Sequence, residues 1–279
     1  MKTNKGKVAV VTGAGGTLCS EMAKELGMQG YKVVLIGRTL ENLKTIEDDI
    51  VSKGGIAISL SADVTDEKSI QEAQKVVMSQ FGACAILING AGGNQFDAIT
   101  TINEFDPKEL ESTDQVRGFF NLSMDKYRSV VDINTMGTVI PCFVFGKDMA
   151  ANGGGCIINF ASMNSYRPLS RVGAYALAKA GIVNFTQWLA AYLAPANVRV
   201  NGIAPGFFLN KNSIKRLMKE DGTYSERGEN IIKHSPMKRF GEANELIGCM
   251  NWMIDEKASG FLTGVTIPID GGFLSSSGL

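Results

Sequence analysis

The stretch KVAVVTGAGGT, residues 7–17, decides the fold of this 279-residue chain. Its first part, Lys7–Thr12, is a short apolar run rich in β-branched residues, which predicts a buried strand. A glycine-rich turn follows, and the pattern then becomes helical over Leu18–Gln29. A strand, a tight turn and a helix in this order are typical of the first unit of a parallel sheet.

The same alternation continues along the chain. Further strands are predicted at Lys32–Ile36, Ile56–Leu60, Ala85–Asn89, Cys156–Ala161, Val198–Ile203 and Val265–Ile269. Helical patterns separate them at Leu40–Ser52, Glu67–Phe81, Tyr127–Asn152, Tyr175–Ala194 and Glu242–Asp255. This order predicts an α/β protein with a parallel sheet covered on both faces. Because the chain has no internal repeat and no linker, we predict a single domain over residues 1–279.

Two segments interrupt the alternation, one at about residues 93–126 and the other at about residues 207–239. Each is longer than the usual connection between a strand and a helix, and each follows a predicted strand. Ligands of open α/β sheets bind beyond the carboxyl ends of the strands. We therefore expect an insertion and a substrate loop over the binding site, with plain surface insertions as the alternative.

The chain balances 28 Lys and Arg residues against 28 Asp and Glu residues. It therefore lacks the excess positive charge typical of proteins that bind nucleic acid or anionic membranes. Its five cysteines include no CxxC pair, which indicates free thiols in a reducing compartment. We recognise no signal peptide and no run of about 18 apolar residues, and predict a cytoplasmic protein with neither nucleic-acid nor membrane partners.

The single histidine, His234, excludes the zinc sites that need two or more histidines. Composition leaves a site made only of carboxylates open, but no spacing of Asp and Glu indicates one. We therefore predict no metal.

The glycine turn indicates a nucleotide. Gly13, Gly15 and Gly16 would let the backbone approach a pyrophosphate at the start of the first helix, although a tight turn without a ligand is the alternative. After the second strand no acid occurs until Glu41, whereas Arg38 is placed to pair with a 2′-phosphate. This favours NADP over NAD, unless Arg38 is a solvated surface residue.

Tyr175 and Lys179 are four positions apart and share one face of a predicted helix. A phenol with a pKa of about 10 is a poor acid–base catalyst at neutral pH. A neighbouring cation would lower that pKa and bring proton transfer into a useful range. Pairs at this spacing are common by chance, so a purely structural pair remains the alternative.

Further motifs stand at fixed places around this pair. They are Asn89-Gly90-Ala91-Gly92, Asn134, Ser162 at 13 residues before Tyr175, Pro205-Gly206 and Asp270-Gly271-Gly272. Together they resemble the short-chain dehydrogenase/reductase family over essentially the whole chain. The resemblance implies a Rossmann-type, doubly wound sheet of seven parallel strands, an NAD(P)-dependent oxidoreductase and a homotetramer.

The resemblance also implies roles for four side chains. Tyr175 would be the general acid–base, and Lys179 would lower its pKa and hold the nicotinamide ribose. Ser162 would orient the substrate carbonyl. Asn134 would anchor a water relay that ends at Lys179.

Cofactor contacts are implied around the glycine turn, along the adenosine and beside the nicotinamide. Besides Tyr175 and Lys179, the positions are Gly13, Gly15, Gly16, Thr17, Leu18, Arg38, Asp63, Val64, Asn89, Gly90, Ala91, Pro205, Gly206, Phe208 and Asn210. Asp63 would contact adenine, Asn89 to Ala91 would line the adenosine ribose, and Phe208 and Asn210 would flank the carboxamide. The chain departs from the family's TGxxxGxG motif at Thr17 and Cys19, and Asn210 stands where threonine is usual.

The substrate is suggested by a second resemblance. Asn89 and Asn134 are 45 positions apart, more than is usual in the family. With residues 17–23, this insertion resembles bacterial sugar-acid members described as D-mannonate oxidoreductases or fructuronate reductases. The implied reaction is reversible hydride transfer between a nicotinamide and the carbonyl of a hexuronate.

A sugar-acid substrate would carry a carboxylate, and polar side chains follow several predicted strands. The cluster comprises Asn94, Gln95, Asn164, Arg167, Arg171, Lys211 and Arg216, and the substrate candidates are Ser162, Asn94 and Arg167. Arg167 is our best single candidate because a guanidinium can hold a carboxylate through two hydrogen bonds.

Other functions remain open. The enzyme alternatives are reductases of 3-oxoacyl thioesters and of gluconate-type acids. A non-enzymatic nucleotide sensor is a third possibility, but the complete Ser–Tyr–Lys set argues against it.

Overall fold

Seven parallel strands form one sheet in the order β3-β2-β1-β4-β5-β6-β7. They are β1 (Val8–Thr12), β2 (Lys32–Gly37), β3 (Ile56–Ser61), β4 (Cys84–Asn89), β5 (Gly155–Phe160), β6 (Val198–Pro205) and β7 (Thr266–Ile269). The strand order reverses between β1 and β4, which opens a crevice at their carboxyl ends. This confirms the predicted doubly wound α/β sheet.

The computed structural model describes residue 4, residues 6–111 and residues 116–276, without the side chains of residues 211, 212 and 216. The helices in these ranges are α1 (Thr17–Met28), α2 (Leu40–Ser52), α3 (Glu67–Gln80), α4 (Met124–Ala151), α5 (Gly173–Leu193), α6 (Lys211–Leu217), α7 (Glu226–His234), α8 (Ile247–Ile254) and α9 (Glu256–Ser259). Their apolar faces cover the two faces of the sheet. α1, α2 and α8 pack on one face, and α3, α4 and α5 pack on the other.

The central strands are buried on both faces, and this explains their sequence. All five residues of β1 are buried, with Val11 in the core on one side and Val10 in the core on the other. Such strands read as continuous apolar runs without the alternation of a half-exposed strand. The strands predicted from these runs therefore agree closely with the observed ones.

Helix α4 is long and apolar enough, by length and composition alone, to cross a membrane. Half of its most apolar window is buried inside the protein, where the helix packs against α5 and strands β4 and β5. This packing is that of a core helix.

The insertion has more order than its sequence pattern suggests. It contains three one-turn 3₁₀ helices, Phe96–Ala98, Pro107–Leu110 and Phe119–Asn121, while residues 112–115 lie outside the described residues. The buried Glu109 carboxylate accepts hydrogen bonds from the backbone N–H groups of Phe120 (3.0 Å) and Asp106 (3.4 Å). Local hydrogen bonds of this kind order the insertion. They require no periodic pattern of apolar residues, so the sequence pattern did not predict this order.

The other irregular segment, residues 207–239, contains two helices, α6 and α7. The helix predicted at Glu242–Asp255 instead starts with a 3₁₀ turn, Ala243–Leu246, before α8.

Candidate active site

The glycine-rich turn after β1 borders a cleft of about 250 Å³. Gly13 has a φ of +63°, and a Cβ on it would lie 2.6 Å from the backbone nitrogen of Ala91. Only glycine permits this close approach of the β1 and β4 ends. Helix α1 starts at an N-cap, Gly16, with no side-chain cap. Its first N–H groups can therefore bind a phosphate, and the cleft fits the pyrophosphate of a dinucleotide.

Many of the predicted cofactor residues line this cleft: Gly13, Gly15, Gly16, Arg38, Val64, Gly90 and Ala91. The sequence pattern did not single out Thr12, yet its hydroxyl accepts hydrogen bonds from the N–H groups of Gly90 (3.2 Å) and Ala91 (3.4 Å). Thr12 thus ties together the two strand ends between which the cleft opens. The sequence signal that could have identified Thr12 is its position as the last residue of a strand, directly before a glycine turn.

Arg38 is exposed and lines both the cleft and an adjoining cavity of about 750 Å³ that Asp63 also lines. The pKa of Asp63 lies below its ordinary value because its carboxylate accepts hydrogen bonds from the hydroxyl and N–H of Thr65, and because Arg38 adds positive charge nearby. Where the cleft and the adjoining cavity meet, the cation of Arg38 and the carboxylate of Asp63 therefore lie near each other. Arg38 can bind a phosphate at this place, and Asp63 can accept a hydrogen bond from a base or from a ribose hydroxyl.

The side chain of Asn89 faces the neighbouring strand. Asn89 ends β4 opposite Asn159 of β5, and its Nδ2 donates to Asn159 Oδ1 at 2.9 Å. The side chain is buried between the strands, and its Oδ1 has no hydrogen-bond partner within the described part of the chain. Gly90 and Ala91, the next two residues, line the cleft, and a contact of Asn89 with the adenosine ribose stays a prediction.

The ring of Phe208 packs against Gly241. It is buried there, and a Cβ on Gly241 would lie 2.6 Å from the ring. A role of Phe208 beside the carboxamide stays a prediction. Asn210 has a local role, because it accepts a hydrogen bond from the N–H of Ser213 (2.9 Å) at the start of α6.

Four other predicted cofactor positions lie at the start of α1 or at the end of β6. Thr17 and Leu18 open α1, and the side chain of Leu18 packs on the core. Pro205 ends β6, and a Cβ on Gly206 would lie 2.6 Å from Cα of Asp270. This close approach explains the need for glycine at position 206.

Ser162 and Tyr175 form the centre of the site. Ser162 follows β5 and Tyr175 is near the start of α5, and a hydrogen bond joins their hydroxyl groups. Ser162 Oγ also accepts hydrogen bonds from N (3.2 Å) and Nδ2 (3.5 Å) of Asn164. Because Asn164 occupies its acceptor positions, Ser162 can donate its own proton to the phenol oxygen or to a ligand oxygen.

Burial raises the pKa of the Tyr175 phenol above its ordinary value, and the hydrogen bond from Ser162 partly offsets this rise. The sequence predicted that Lys179 would lower this pKa. Its Nζ lies 5.7 Å from the centroid of the Tyr175 ring and donates a 2.6 Å hydrogen bond to the carbonyl of Phe160. Burial also lowers the pKa of Lys179 to about 8. Burial is therefore the largest influence on the pKa of Tyr175, and it acts against the predicted lowering.

Asn134 is buried in α4, and its side chain clamps the segment after β4. Its Nδ2 donates to the carbonyl of Gly93 at 2.6 Å, and its Oδ1 accepts from the N–H of Gly93 at 3.2 Å. Gly92 lies beside this amide: a Cβ there would be 2.5 Å from Asn134 Oδ1 and 3.6 Å from Lys179 Nζ. The structure therefore brings Asn134, Gly92 and Lys179 together.

Tyr175 also lines a second cavity, of about 500 Å³, beside the cofactor cleft. Much of its wall is apolar, with Phe96 and Ile99 from the insertion and Phe207 from the segment after β6. Among the predicted residues, Asn94 lines it. Three arginines, Arg117, Arg171 and Arg227, also line the cavity. The sequence pattern did not identify Arg117 or Arg227 as part of this wall.

Arg167 lies elsewhere. Its Nη1 donates a 2.6 Å hydrogen bond to the carbonyl of Ser276, and its side chain lines a neighbouring cavity of about 300 Å³ with His234 and Phe273. The structure thus brings Tyr175, Asn94 and Arg171 together around one cavity and leaves Arg167 outside it. Spacing along the chain gave no signal that distinguished the two arginines.

The arrangement can carry out proton transfer at a ligand oxygen. A phenol and a serine hydroxyl meet beside a cleft that fits a dinucleotide, and a separate cavity opens next to them. This combination suits a reaction in which hydride and proton reach a carbonyl from different groups.

Comparison with known proteins agrees with this geometry. The family model of short chain dehydrogenases matches residues 7–220. An uncharacterised oxidoreductase of Bacillus subtilis, UxuB, is 43% identical over 274 residues, which are 98% of this chain and 97% of that protein. A 2-dehydro-3-deoxy-D-gluconate 5-dehydrogenase of Formosa agariphila is 32% identical over 98% of this chain and 95% of that protein.

A solved structure is also very similar. It is described as a candidate D-mannonate oxidoreductase of Haemophilus influenzae and contains bound NAD. Its TM-score is 0.93 at 38% sequence identity, covering 99% of this chain and 97% of the other. The predicted family and enzyme class are thereby confirmed.

Proposed function

The chain belongs to the short-chain dehydrogenase family, an oxidoreductase family that uses nicotinamide cofactors, and we propose that its substrate is a sugar acid related to D-mannonate and D-fructuronate. The observation that carries this proposal is the cavity beside Tyr175, into which arginine side chains reach from three segments. Cations next to a catalytic phenol favour a carbonyl substrate with a carboxylate elsewhere in the molecule.

The relatives support the same substrate class. The Haemophilus influenzae protein is described as a candidate D-mannonate oxidoreductase, and the Formosa agariphila protein is named for a sugar-acid activity.

In the mechanism we propose, Tyr175 transfers the proton. When a carbonyl is reduced, its hydroxyl gives a proton to the substrate oxygen, and the phenol takes that proton back in the reverse reaction. Ser162 donates a hydrogen bond to the same oxygen and stabilises the negative charge that develops there. The bound nicotinamide supplies or accepts the hydride.

Lys179 and Asn134 support this transfer. Lys179 would hold the nicotinamide ribose, and Asn134 would anchor a water relay that ends at Lys179. Their convergence at Gly92 supports the proposal, since a Cβ there would lie within 4 Å of both side chains. The glycine turn, Arg38 and Gly90 hold the rest of the dinucleotide.

We propose NADP as the preferred cofactor, with NAD as the alternative. Arg38 supports this choice, because it is an exposed cation directly after β2 and lines the cleft. The NAD bound to the Haemophilus influenzae relative supports the alternative.

We further propose a homotetramer in the cytoplasm. Large apolar side chains are exposed on α4 and α5: Phe143, Leu177, Trp188 and Tyr192. Trp188 and Tyr192 stack with their ring centroids 5.2 Å apart. Such a surface favours burial against another subunit. Light scattering of the purified protein measures the assembly directly.

The substrate proposal is tested by an activity screen with both cofactors. D-Mannonate and D-fructuronate are compared with D-mannitol and D-fructose, which lack the carboxylate, and with a gluconate-type acid and a 3-oxoacyl thioester. We expect kcat/KM for the acids to exceed that for the neutral sugars at least tenfold, since loss of a charged contact costs more than about 1.4 kcal/mol. Equal rates with neutral sugars, or a preference for the thioester, would overturn the sugar-acid proposal while leaving the reductase class intact.

A further inference from the structure

Two of the arginines that line the cavity beside Tyr175, Arg117 and Arg171, have different hydrogen-bond partners. Arg117 is held by the insertion: its Nε donates to the carbonyl of Ile99 at 2.8 Å, and its Nη1 pairs with Asp97 at 3.1 Å. Its guanidinium also lies 4.1 Å from the centroid of the Phe96 ring. These contacts give Arg117 a structural role in shaping the wall.

Arg171 is held differently. Its Nε donates a 2.7 Å hydrogen bond to Oδ1 of Asn103, which belongs to the insertion. Its two Nη groups have no acceptor among the residues that the structure describes. A guanidinium fixed at Nε in this way keeps the paired N–H groups that match a carboxylate.

The backbone at Arg171 is also constrained. Its φ is +73°, a conformation that side-chain-bearing residues seldom adopt, and its carbonyl accepts a 3.1 Å hydrogen bond from the N–H of Thr100. Such conformations persist where the surrounding structure holds them, often next to functional sites. The insertion therefore fixes Arg171 at two points, one on the backbone and one on the side chain.

We propose that Arg171, positioned by Asn103, binds the carboxylate of the substrate while Tyr175 faces the oxygen of the reacting carbonyl. This inference rests on the proposed sugar-acid function and names the residue that selects the acid. Arg171 is four residues before Tyr175 and lines the same cavity, so the two ends of one small molecule can reach both.

This assignment replaces Arg167, the sequence-based candidate. The guanidinium of Arg167 donates to the Ser276 carbonyl beside a different cavity. The specificity of the enzyme would then depend on the insertion, which supplies Asn103 and Thr100.

The test compares variants on one acid and its neutral counterpart, D-mannonate and D-mannitol, with cofactor at saturation. Arg171→Asn removes the cation, and asparagine tolerates a left-handed backbone; Arg171→Gly is the second variant, since glycine adopts it without strain. We expect kcat/KM for D-mannonate to fall tenfold to a hundredfold, mainly through KM, with that for D-mannitol unchanged.

Two further variants sharpen the result. Asn103→Ala should raise KM for D-mannonate by a smaller factor without changing kcat, because it loosens the guanidinium but keeps the charge. Arg239→Ala is the matched control: this exposed arginine pairs with Glu245 on the surface, away from the cavity. It should leave both substrates unaffected.

The outcomes separate the inference from the function on which it rests. If the wild type prefers D-mannonate and both Arg171 variants keep that preference, the assignment to Arg171 is overturned and the sugar-acid function stands. Loss of the preference in Arg167→Ala instead would return the role to Arg167. If the wild type shows no preference for the acid, both the function and the assignment fail. An equal fall for D-mannitol in folded variants would show a structural role and also overturn the assignment.

Discussion

The cofactor cleft and the substrate cavity meet near Tyr175 but are built in opposite ways. The cleft is formed at strand ends and helix starts, largely by glycine backbone around Gly13 and Gly90. The cavity is walled by long side chains from the insertion, the loop after β5 and the segment after β6. The first region depends on where the backbone runs, and the second depends on which side chains three irregular segments bring together. Changes in the first should affect every substrate, whereas changes in the second should affect the choice among substrates.

The largest effect expected is that of Tyr175→Phe, which removes the proposed proton donor but keeps the packing of the ring. We expect turnover of every substrate to fall about 10²- to 10⁴-fold, the usual contribution of general acid–base catalysis, while the cofactor still binds. Steady-state kinetics and cofactor titration measure the two effects. Tyr166→Phe is the matched control, because among the described residues that hydroxyl bonds only to the Thr266 carbonyl, at the surface. Turnover within tenfold of the wild type in Tyr175→Phe would contradict the assigned role.

Ser162→Ala should have the next largest effect and should move the pH dependence. Loss of one donor to a developing oxyanion costs about 10²- to 10³-fold in kcat. Burial raises the pKa of Tyr175 and the Ser162 hydrogen bond opposes this, so the variant raises that pKa further. Alcohol oxidation needs the deprotonated phenol, and its pH midpoint should therefore move to higher pH. If the midpoint of the kcat/KM profile stays unchanged or moves to lower pH, the hydrogen bond from Ser162 does not lower the pKa of Tyr175.

Arg38→Ala tests the far end of the cleft. We expect the affinity for NADP to fall roughly tenfold to a hundredfold and that for NAD to change less, since a charge-assisted hydrogen bond contributes about 1.5–3 kcal/mol. Binding titrations with both cofactors measure the difference. Lys44→Ala removes another exposed cation, one that pairs with Glu47 on α2, and serves as the control. Equal losses for the two cofactors would make Arg38 a surface residue and favour NAD.

The smallest effect is expected from Glu109→Gln in the insertion. The buried carboxylate accepts two backbone hydrogen bonds, and the amide keeps one acceptor oxygen, so about 0.5–1.5 kcal/mol of local stability should be lost. Hydrogen exchange at the Phe120 amide should accelerate, and KM for the substrate should rise more than Kd for the cofactor. Glu104→Gln, at an exposed position of the same insertion, is the control. An equal change in both constants would contradict the separation of the two regions.

The sequence predicted the regular half of the molecule well, because burial on both faces of the sheet leaves continuous apolar runs. The glycine turn could also be interpreted, since the φ of Gly13 and its approach to Ala91 exclude any larger residue. The sequence left the orientation of the Asn89 side chain open. A polar residue at a strand end can face either a ligand or the neighbouring strand, and here the cross-strand partner Asn159 decided between them.

The substrate side could not be predicted to the same depth. Arg167 and Arg171 look equivalent along the chain, and only the contacts with Ser276 and Asn103 distinguish them. The rise in the pKa of Tyr175 was missed for a similar reason. Spacing indicates that Lys179 is near, but the extent of burial, which raises the pKa of Tyr175, is a property of the folded protein.

The departure of Cys19 from the family's glycine motif has a consequence for how this sequence can diverge. Cys19 is buried, and its sulfur occupies the space that a side chain at position 90 would need. The two positions, on α1 and after β4, therefore share one volume. A larger residue at position 90 becomes acceptable only when position 19 shrinks, so inherited changes at these sites must come in compensating pairs. In homologues that keep this packing, small residues at position 19 should co-occur with larger ones at position 90, and the reverse.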